Sequence, residues 1–450
     1  VKRPCPVRAA ALRDDEAPAL WWAGRRFSYR QYDRLVSSLA AHLEASGVRP
    51  GDRVAVRSWN RPEVATLFFA LGRLGACLVP INARLLESEA QVLVERAGPR
   101  LCFGELPGAL PWPALGPLRE AAEVDDEAVA AALFTSGTTG TPKLVELTHS
   151  NFFALAAASA KRLGSHAAQR WLGSLPMFHI GGLAMVHRCA VIGASVVVES
   201  HFDPVLVCAA LDSGVSHASF VPTMLARVLD ARGESPFEGV QAVLVGGGPM
   251  GPGLLERARL KGLPVLQTYG LTEACSQVTT EGLREADGST AGRPLDGLAV
   301  RVVDDAGREL PIGEVGEIEV SGPTVAKGLG PWLQTKDLGR LDAQGRLTVL
   351  ARRTDLIISG GENVYPAEIE AVLREHPAIE DVAVVPRTDA SWGQVPVAMF
   401  VPRQGVTDAA LDAWVKERLA GFKRPRAWVR TGALPRNANG KLERNKLVQD

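Results

Sequence analysis

Short β-branched runs alternate with longer stretches of helical apolar spacing from about Val54 to Val245. "DRVAVRS" precedes "RPEVATLFFALGRLG", "ASVVVES" precedes "DPVLVCAALDSG", and "VSHASFVP" precedes "TMLARVLDARG". Alternation of this kind predicts βαβ units, a parallel sheet covered by helices on both faces. A further unit follows, in which "VQAVLVGGG" reads as a strand entering a glycine turn, "GPGLLERARLKG" as a helix closed by Gly262, and "PVLQTYG" as the next strand. Ligands of such sheets gather at the carboxyl ends of the strands, where the Gly246-Gly247-Gly248 turn falls.

After about Ala291 the pattern shortens. "AVRVVDDAGREL", "GEIEVSG" and "GRLDAQGRLTVL" are short strands with Asp-Ala-Gly and Ala-Gln-Gly turns, a small antiparallel subdomain. Beyond Arg352, "LIISGGENVYPAEIEAVLREHP" places Pro366 near a helix start with Glu368 in its first turn; the strands "EDVAVVP" and "VPVAMFVP" and the helix "DAALDAWVKERLAG" follow. The expected architecture is α/β: a large N-terminal region, residues 1–351, of parallel α/β sheets with a small antiparallel β subdomain at about 291–351, then a C-terminal α+β domain, residues 352–450.

Length and charge narrow the function. At 450 residues the chain exceeds the roughly 250–300 residues at which single cores stop growing. Its 50 basic and 50 acidic residues cancel without runs of like charge, against a nucleic-acid stripe or a polybasic membrane patch and in favour of small-molecule partners. Six scattered cysteines without a C-x-x-C pair suggest neither a disulfide framework nor a zinc site, and reduced thiols in a cytoplasmic setting fit. Arg13, Asp14 and Asp15 interrupt the N-terminal apolar stretch, so no export signal is expected. The most apolar stretches fall short of the ~20 residues a spanning helix needs, so no stable membrane insertion is expected.

Between Leu133 and Lys143 the chain reads "LFTSGTTGTPK". An apolar lead into a Gly- and hydroxyl-rich turn gathers backbone N–H groups and side-chain donors around one concavity, which suits phosphate oxygens. A solvated surface loop has the same composition. Lys143 favours phosphate, but it follows Pro142 and precedes Leu144, whereas a P-loop places Gly-Lys directly before Ser or Thr.

Four further stretches stand out: "LPMFHIGG" (175–182), "TYGLTEACSQ" (268–277), "TKDLGRLD" (335–342) and "PRNANGKLERNKL" (435–447). Singly, His179 reads as a core histidine, and Glu273 or Asp337 as a cap or a solvated carboxylate. In this order and spacing, together with the loop, they resemble the adenylate-forming superfamily of acyl-CoA synthetases, luciferases and peptide-synthetase adenylation domains, over about Trp21 to Leu447.

The resemblance implies an enzyme that uses ATP, Mg²⁺ and coenzyme A. A carboxylate attacks the α-phosphate of ATP to give an acyl-AMP, and cations must offset the repulsion between the two anions. By the same resemblance, Thr135, Ser136, Gly137, Thr138, Thr139, Gly140, Thr141, Pro142 and Lys143 embrace the departing β- and γ-phosphates. Thr272 and Glu273 match phosphate and Mg²⁺ contacts. Asp337 and Arg352 match ribose contacts, and Gly246, Gly247, Gly248 and Tyr269 the walls of the adenine and acyl pockets. Lys441 matches the lysine that bridges carboxylate and α-phosphate during adenylation. For thioester formation the family swings its small domain about a hinge near Arg352–Asp355. Here Thr354 stands at the usual hinge position, where Asp or Lys is frequent. The swing withdraws Lys441 and presents Gly360 and Gly361 to the pantetheine chain, with Lys423 toward the CoA nucleotide.

Within the superfamily, "FHIGGLAMVHRCAVIG", "LVGGGPM", "LQTYGLTEACSQVTT" and "ARRTDLIISGGENVYPAEIE" look like the 2-succinylbenzoate–CoA ligases of menaquinone biosynthesis. Such a substrate keeps a second carboxylate, on its ring, which must be paired or solvated. Arg188 is the candidate partner, with Ser276 and Gln277 as candidate hydrogen-bond donors; a structural ion pair on a helix is the other reading of Arg188. His179 is expected at the catalytic centre to gate or line the acyl pocket, not as a general base. A general aryl- or acyl-CoA ligase, a carrier-protein-loading adenylation domain and a non-catalytic nucleotide-binding protein stay open, as does a homo-oligomer.

Overall fold

The computed structural model describes the chain except residues 136–141, 249, 251, 353–354, 360–361, 390–391, 404, 420, 437–441 and 448–450. The side chain of Arg352 is also outside the description. Contacts divide the chain into two units. One comprises residues 1–247, 258–299 and 320–333, the other 248–257, 300–319 and 334–450.

Besides a two-stranded ribbon, Lys2–Pro4 with Glu123–Asp125, the first unit holds two main sheets among the described residues. Among the described residues the smaller has the strand order Leu101–Gly104, Arg53–Arg57, Cys77–Ile81, Val129–Thr135, Lys143–Thr148. The first four are parallel as expected, but Lys143–Thr148 returns antiparallel to Val129–Thr135. Only a short loop separates the two, and a parallel return needs a crossover of a dozen or more residues, so a hairpin is the available geometry. The larger sheet runs Arg293–Pro294, Ser276–Thr280, Val265–Leu271, Ala242–Val245, His217–Phe220, Arg170–Gly173, Ser195–Val198, Pro18–Trp22, Arg25–Ser28. Its six central strands are parallel, and antiparallel strands close both edges. The predicted helices Pro62–Leu74, Pro204–Asp212, Pro222–Arg232 and Pro252–Leu260 form, each with Pro in the first turn, where its missing N–H costs nothing.

Two helices of this unit carry Ser159 and Arg188. His149–Leu163 buries Phe152, Leu155, Ala156, Ser159 and Leu163 along one face. Ile180–Ile192 is buried almost all round, as an apolar helix inside a core must be. Consecutive residues on it therefore meet different neighbours: His187 lies among the rings of Phe68, Phe69, Phe152 and Phe153, whereas Arg188 lies over Trp171.

In the second unit the small sheet runs Ala299–Val303, Gly316–Ser321, Leu333–Leu341, Leu347–Arg352. The C-terminal sheet runs Glu362–Val364, Ile357–Ser359, Gly393–Pro402, Ile379–Asp389, with Ala427–Arg430 also paired to Gly393–Pro402. The helices Pro366–Arg374 and Asp408–Arg418 contribute Ile369, Leu373, Leu411 and Val415 to one core with Val382, Val384 and Phe400. Among the described residues no helix is long and apolar enough to cross a membrane.

The start of His149–Leu163 is fixed by a reciprocal cap. Thr148 Oγ1 accepts from the Asn151 N–H at 3.3 Å, and Asn151 Oδ1 accepts from the Thr148 N–H at 2.9 Å. Asn151 Nδ2 then donates to the carbonyls of Pro323 and Val325 at 2.8 and 3.1 Å. Asn151→Ala removes the side-chain half of the cap, sparing the bond from the residue-151 N–H to Thr148 Oγ1, and leaves two carbonyls without their donor. It should lower the unfolding free energy by roughly 2 kcal/mol in chemical denaturation.

Candidate active site

The phosphate-loop candidate hangs from the hairpin. Thr135 ends one strand and faces Lys143 at the start of the next. Ser136, Gly137, Thr138, Thr139, Gly140 and Thr141 lie outside the described residues, and Lys143 is exposed.

At the end of strand Ala242–Val245, Gly246 donates its N–H to the Phe220 carbonyl at 3.2 Å. A Cβ on Gly246 would stand 2.6 Å from the Thr268 carbonyl oxygen, so only glycine lets the neighbouring strand ends close up. Gly247 follows with φ +78°, and Gly247 and Gly248 are exposed.

Strand Val265–Leu271 buries Tyr269, then turns through a short 3₁₀ segment, Thr272–Ala274, into Ser276–Thr280. Thr272 and Glu273 are half-buried, and the Glu273 carbonyl is held by the Ala326 N–H at 2.8 Å. Cys275 and Ser276 both carry positive φ, 56° and 97°. Non-glycine residues in such conformations cost of order 1–3 kcal/mol each and persist where surrounding structure enforces them, commonly at functional turns. Glu273 is a carboxylate of the kind that, with substrate phosphates, suffices for Mg²⁺. Among the described residues no group of three or more His, Cys, Asp or Glu side chains forms a self-sufficient metal site.

Arg188 is 3% exposed. Its Nη1 donates to Ser159 Oγ at 2.9 Å and to Gln277 Oε1 at 3.0 Å, and its guanidinium carbon lies 4.1 Å from the Trp171 ring centroid. Among the described residues it forms no ion pair, and its Nε and Nη2 are buried without a hydrogen-bond partner. The structural ion pair considered for Arg188 is therefore not formed there. Burial without a counter-ion lowers its pKa to about 10, which still leaves it charged at neutral pH. Gln277 is 5% exposed, with its amide turned toward Arg188 and Thr280, while Ser276 is half-buried at the strained turn. His179 precedes helix Ile180–Ile192, half-buried, its ring edge-on to Phe178. Ser159 and Trp171 were missed from sequence, although a lone serine in the apolar run "FFALAAASA" is a detectable signal.

In the second unit, Asp337 is buried on strand Leu333–Leu341 opposite Arg352 in register. Its N–H donates to Thr335 Oγ1 at 3.1 Å, and Thr335 Oγ1 donates to the Ile318 carbonyl at 2.7 Å. Lys423 donates to Glu368 Oε1 at 2.7 Å. A nearby cavity of about 520 Å³ is lined by Lys416, Arg424, Arg426 and Trp392 among others. Arg424 and Arg426 were also overlooked, although "GFKRPR" shows the charge run. Thr354, Gly360, Gly361 and Lys441 lie outside the described residues. The segment just after Lys441 is anchored by Arg444, which pairs with the buried Glu370 and with Asp355.

The fold and these sites define a class. A family model described as AMP-binding enzyme matches residues 7–329, and one described as AMP-binding enzyme C-terminal domain matches residues 368–441. The chain belongs to this family. It is 38% identical to a 2-succinylbenzoate–CoA ligase of Bacillus velezensis, covering 96% of this chain and 95% of that one. It is 40% identical to a 2-succinylbenzoate–CoA ligase of Geobacillus kaustophilus, covering 91% and 90%. A solved structure of o-succinylbenzoate CoA synthetase (MenE) from Bacillus subtilis, in complex with the acyl-adenylate intermediate OSB-AMP, matches with TM-score 0.92 at 34% identity, covering 100% of this chain and 99% of that one.

Three histidines of the first unit are held neutral by burial. Burial lowers His149 and His217 to about 4 and His187 to about 3; Asp126 and Asp125 oppose the shift at His149, and Arg188 adds to it at His217. Unfolded imidazoles take up protons below about pH 6.5 that the folded chain refuses. The stability these neutral rings carry is complete above that pH and declines as pH falls toward 4, by about 1.4 kcal/mol per pH unit for each ring. Denaturant unfolding measured from pH 7.5 to 5 should show this decline, and His187→Phe should make it shallower.

Proposed function

We propose that this chain is an ATP-dependent, AMP-forming 2-succinylbenzoate–CoA ligase of menaquinone biosynthesis, working in the cytoplasm. The observation that carries the choice of acid is Arg188, a buried cation whose Nε–Nη2 edge meets no partner among the described residues. That edge is shaped for the two oxygens of a carboxylate. A monoacid would leave the guanidinium buried and uncompensated; the ring carboxylate of 2-succinylbenzoate completes it.

The succinyl carboxylate attacks the α-phosphorus of ATP, forming the mixed anhydride and releasing pyrophosphate. The loop from Thr135 to Lys143 holds the β- and γ-phosphates, Thr272 and Glu273 bind phosphate and Mg²⁺, and Asp337 and Arg352 take the ribose hydroxyls. Mg²⁺, when bound, screens the phosphate charge. Gly246, Gly247, Gly248 and Tyr269 form the walls around adenine and acyl group, and His179 lines the acyl side. Lys441 bridges carboxylate and α-phosphate. In the second half-reaction the CoA sulfur attacks the acyl carbon and AMP departs. A small domain beginning near residue 352 turns at the hinge near Thr354, withdrawing Lys441 and bringing Gly360 and Gly361 to the pantetheine. Lys423, Lys416, Arg424 and Arg426 offer positive charge for the phosphates of CoA.

Two experiments test this. CoA-dependent AMP release should be fastest with 2-succinylbenzoate when benzoate, coumarate and octanoate are offered beside it, and Arg188→Met should lower kcat/KM for the diacid by roughly one to two powers of ten. The analogue without the ring carboxylate, 4-oxo-4-phenylbutanoate, should be a poor substrate that loses little further in Arg188→Met. Equal losses for both acids would transfer the assignment to a general acyl-CoA ligase. Lys441→Ala should slow acyl-adenylate formation by orders of magnitude yet leave thioester formation from supplied acyl-AMP nearly intact. Comparable losses in both half-reactions would remove the domain swing.

A further inference from the structure

Arg188 is held from one side only. Nη1 carries two hydrogens and meets two acceptors, Ser159 Oγ at 2.9 Å and Gln277 Oε1 at 3.0 Å, so that nitrogen is fully used. The two acceptors are joined to each other, because Ser159 Oγ donates to Gln277 Oε1 at 2.7 Å. The Gln277 amide has one workable orientation. Its Nε2 donates to Thr280 Oγ1 at 2.9 Å, and reversing it would set an N–H₂ group against the Arg188 donor. Thr280 Oγ1 lies 2.9 Å from Thr268 Oγ1, which donates to the Thr279 carbonyl at 2.8 Å. Ser159, Thr279 and Thr280 are fully buried. The chain of hydrogen bonds therefore runs from the guanidinium to the strand that leads through Tyr269 to Thr272 and Glu273.

We propose that Ser159 and Gln277 are positioning residues for acid recognition: they fix the Arg188 guanidinium through Nη1 with neutral acceptors, and so present its Nε–Nη2 edge, still fully charged, to the second carboxylate of the substrate. This rests on the reading of Arg188 as the partner of that carboxylate. The neutrality of the two acceptors is the essential point. An aspartate or glutamate in either place would orient the guanidinium equally well but would neutralise it and compete with the incoming carboxylate. An amide and a hydroxyl orient without neutralising. The Trp171 face covers one side of the plane, leaving rotation about the Nη1 anchor as the freedom that the paired acceptors remove.

The test compares two acids in two variants. Ser159→Ala should raise KM for 2-succinylbenzoate about tenfold while kcat changes by less than about twofold, because one of the two hydrogen bonds aiming a charged group is lost. Gln277→Glu should raise it at least as far, yet its thermal midpoint should not fall, since the buried cation gains a counter-ion. With 4-oxo-4-phenylbutanoate both variants should behave like the parent, and KM for ATP should not move. An unchanged KM for the diacid, or equal weakening of both acids, overturns the proposal. Should Gln277→Glu fail to fold, Ser159→Ala decides alone. Arg188→Met separates the two levels: if it discriminates between the acids while Ser159→Ala does not, the positioning role falls and the acid assignment stands; if Arg188→Met does not discriminate, the acid assignment falls.

Discussion

A guanidinium held out of water, with no counter-ion among the described residues, is the constraint around which the interior beside helix Ile180–Ile192 is organised. Removing a charge from water costs several kcal/mol even after the surroundings relax, and nearby carboxylates normally offset it. Here the neighbours are an indole face, a hydroxyl and an amide oxygen. They satisfy geometry without cancelling charge, and the acid recognition proposed above rests on that uncompensated charge. The helix carrying Arg188 is apolar on nearly every other face, and the core around it resists any movement that would let the side chain reach solvent.

The backbone beside this cation is crowded in a complementary way. A Cβ on Gly270 would fall 1.7 Å from the Ser276 carbonyl oxygen, and the turn between them includes two non-glycine residues at positive φ. Gly246 makes a second close approach, 2.6 Å from a Cβ to the Thr268 carbonyl oxygen on the adjoining strand. Main chains brought this close place Tyr269, Thr272, Glu273 and Gln277 on a short, tightly constrained hairpin. Precision of placement is obtained from backbone strain and contact distance together with the side-chain bonds of Gln277, Thr268 and Thr280.

Much of this was legible in the sequence because it rests on periodicity and local stop signals. The strand Ala242–Val245, the helices opened by Pro204, Pro222 and Pro366, and the hairpin turns after Val303 and Leu341 follow from the spacing of apolar residues and from Pro, Asp and Gly. The antiparallel return of Lys143–Thr148 was less visible, because a six-residue β-rich run is the same in either direction and only the connection length decides. Arg188 could be nominated by charge in an apolar stretch, but its partners could not. Ser159 and Gln277 are 118 positions apart and meet only through tertiary packing. The amide of Gln277, considered from sequence as a donor to substrate, is already committed within the protein, a fact that composition cannot express.

The hairpin at the phosphate loop has a consequence for how this fold tolerates change. Thr135 and Lys143 are paired across the two strands, so the sheet itself brings the loop's ends together, about 5 Å apart. Loop closure is thus completed by the pairing of the flanking strands. Doubling the length of such a connection would raise the closure cost by only about 0.6 kcal/mol. Insertions there would leave the scaffold standing while spoiling the phosphate contacts proposed above. On the proposed role, length at this point is held by chemistry more than by stability, and a folded but inactive descendant lies a short insertion away.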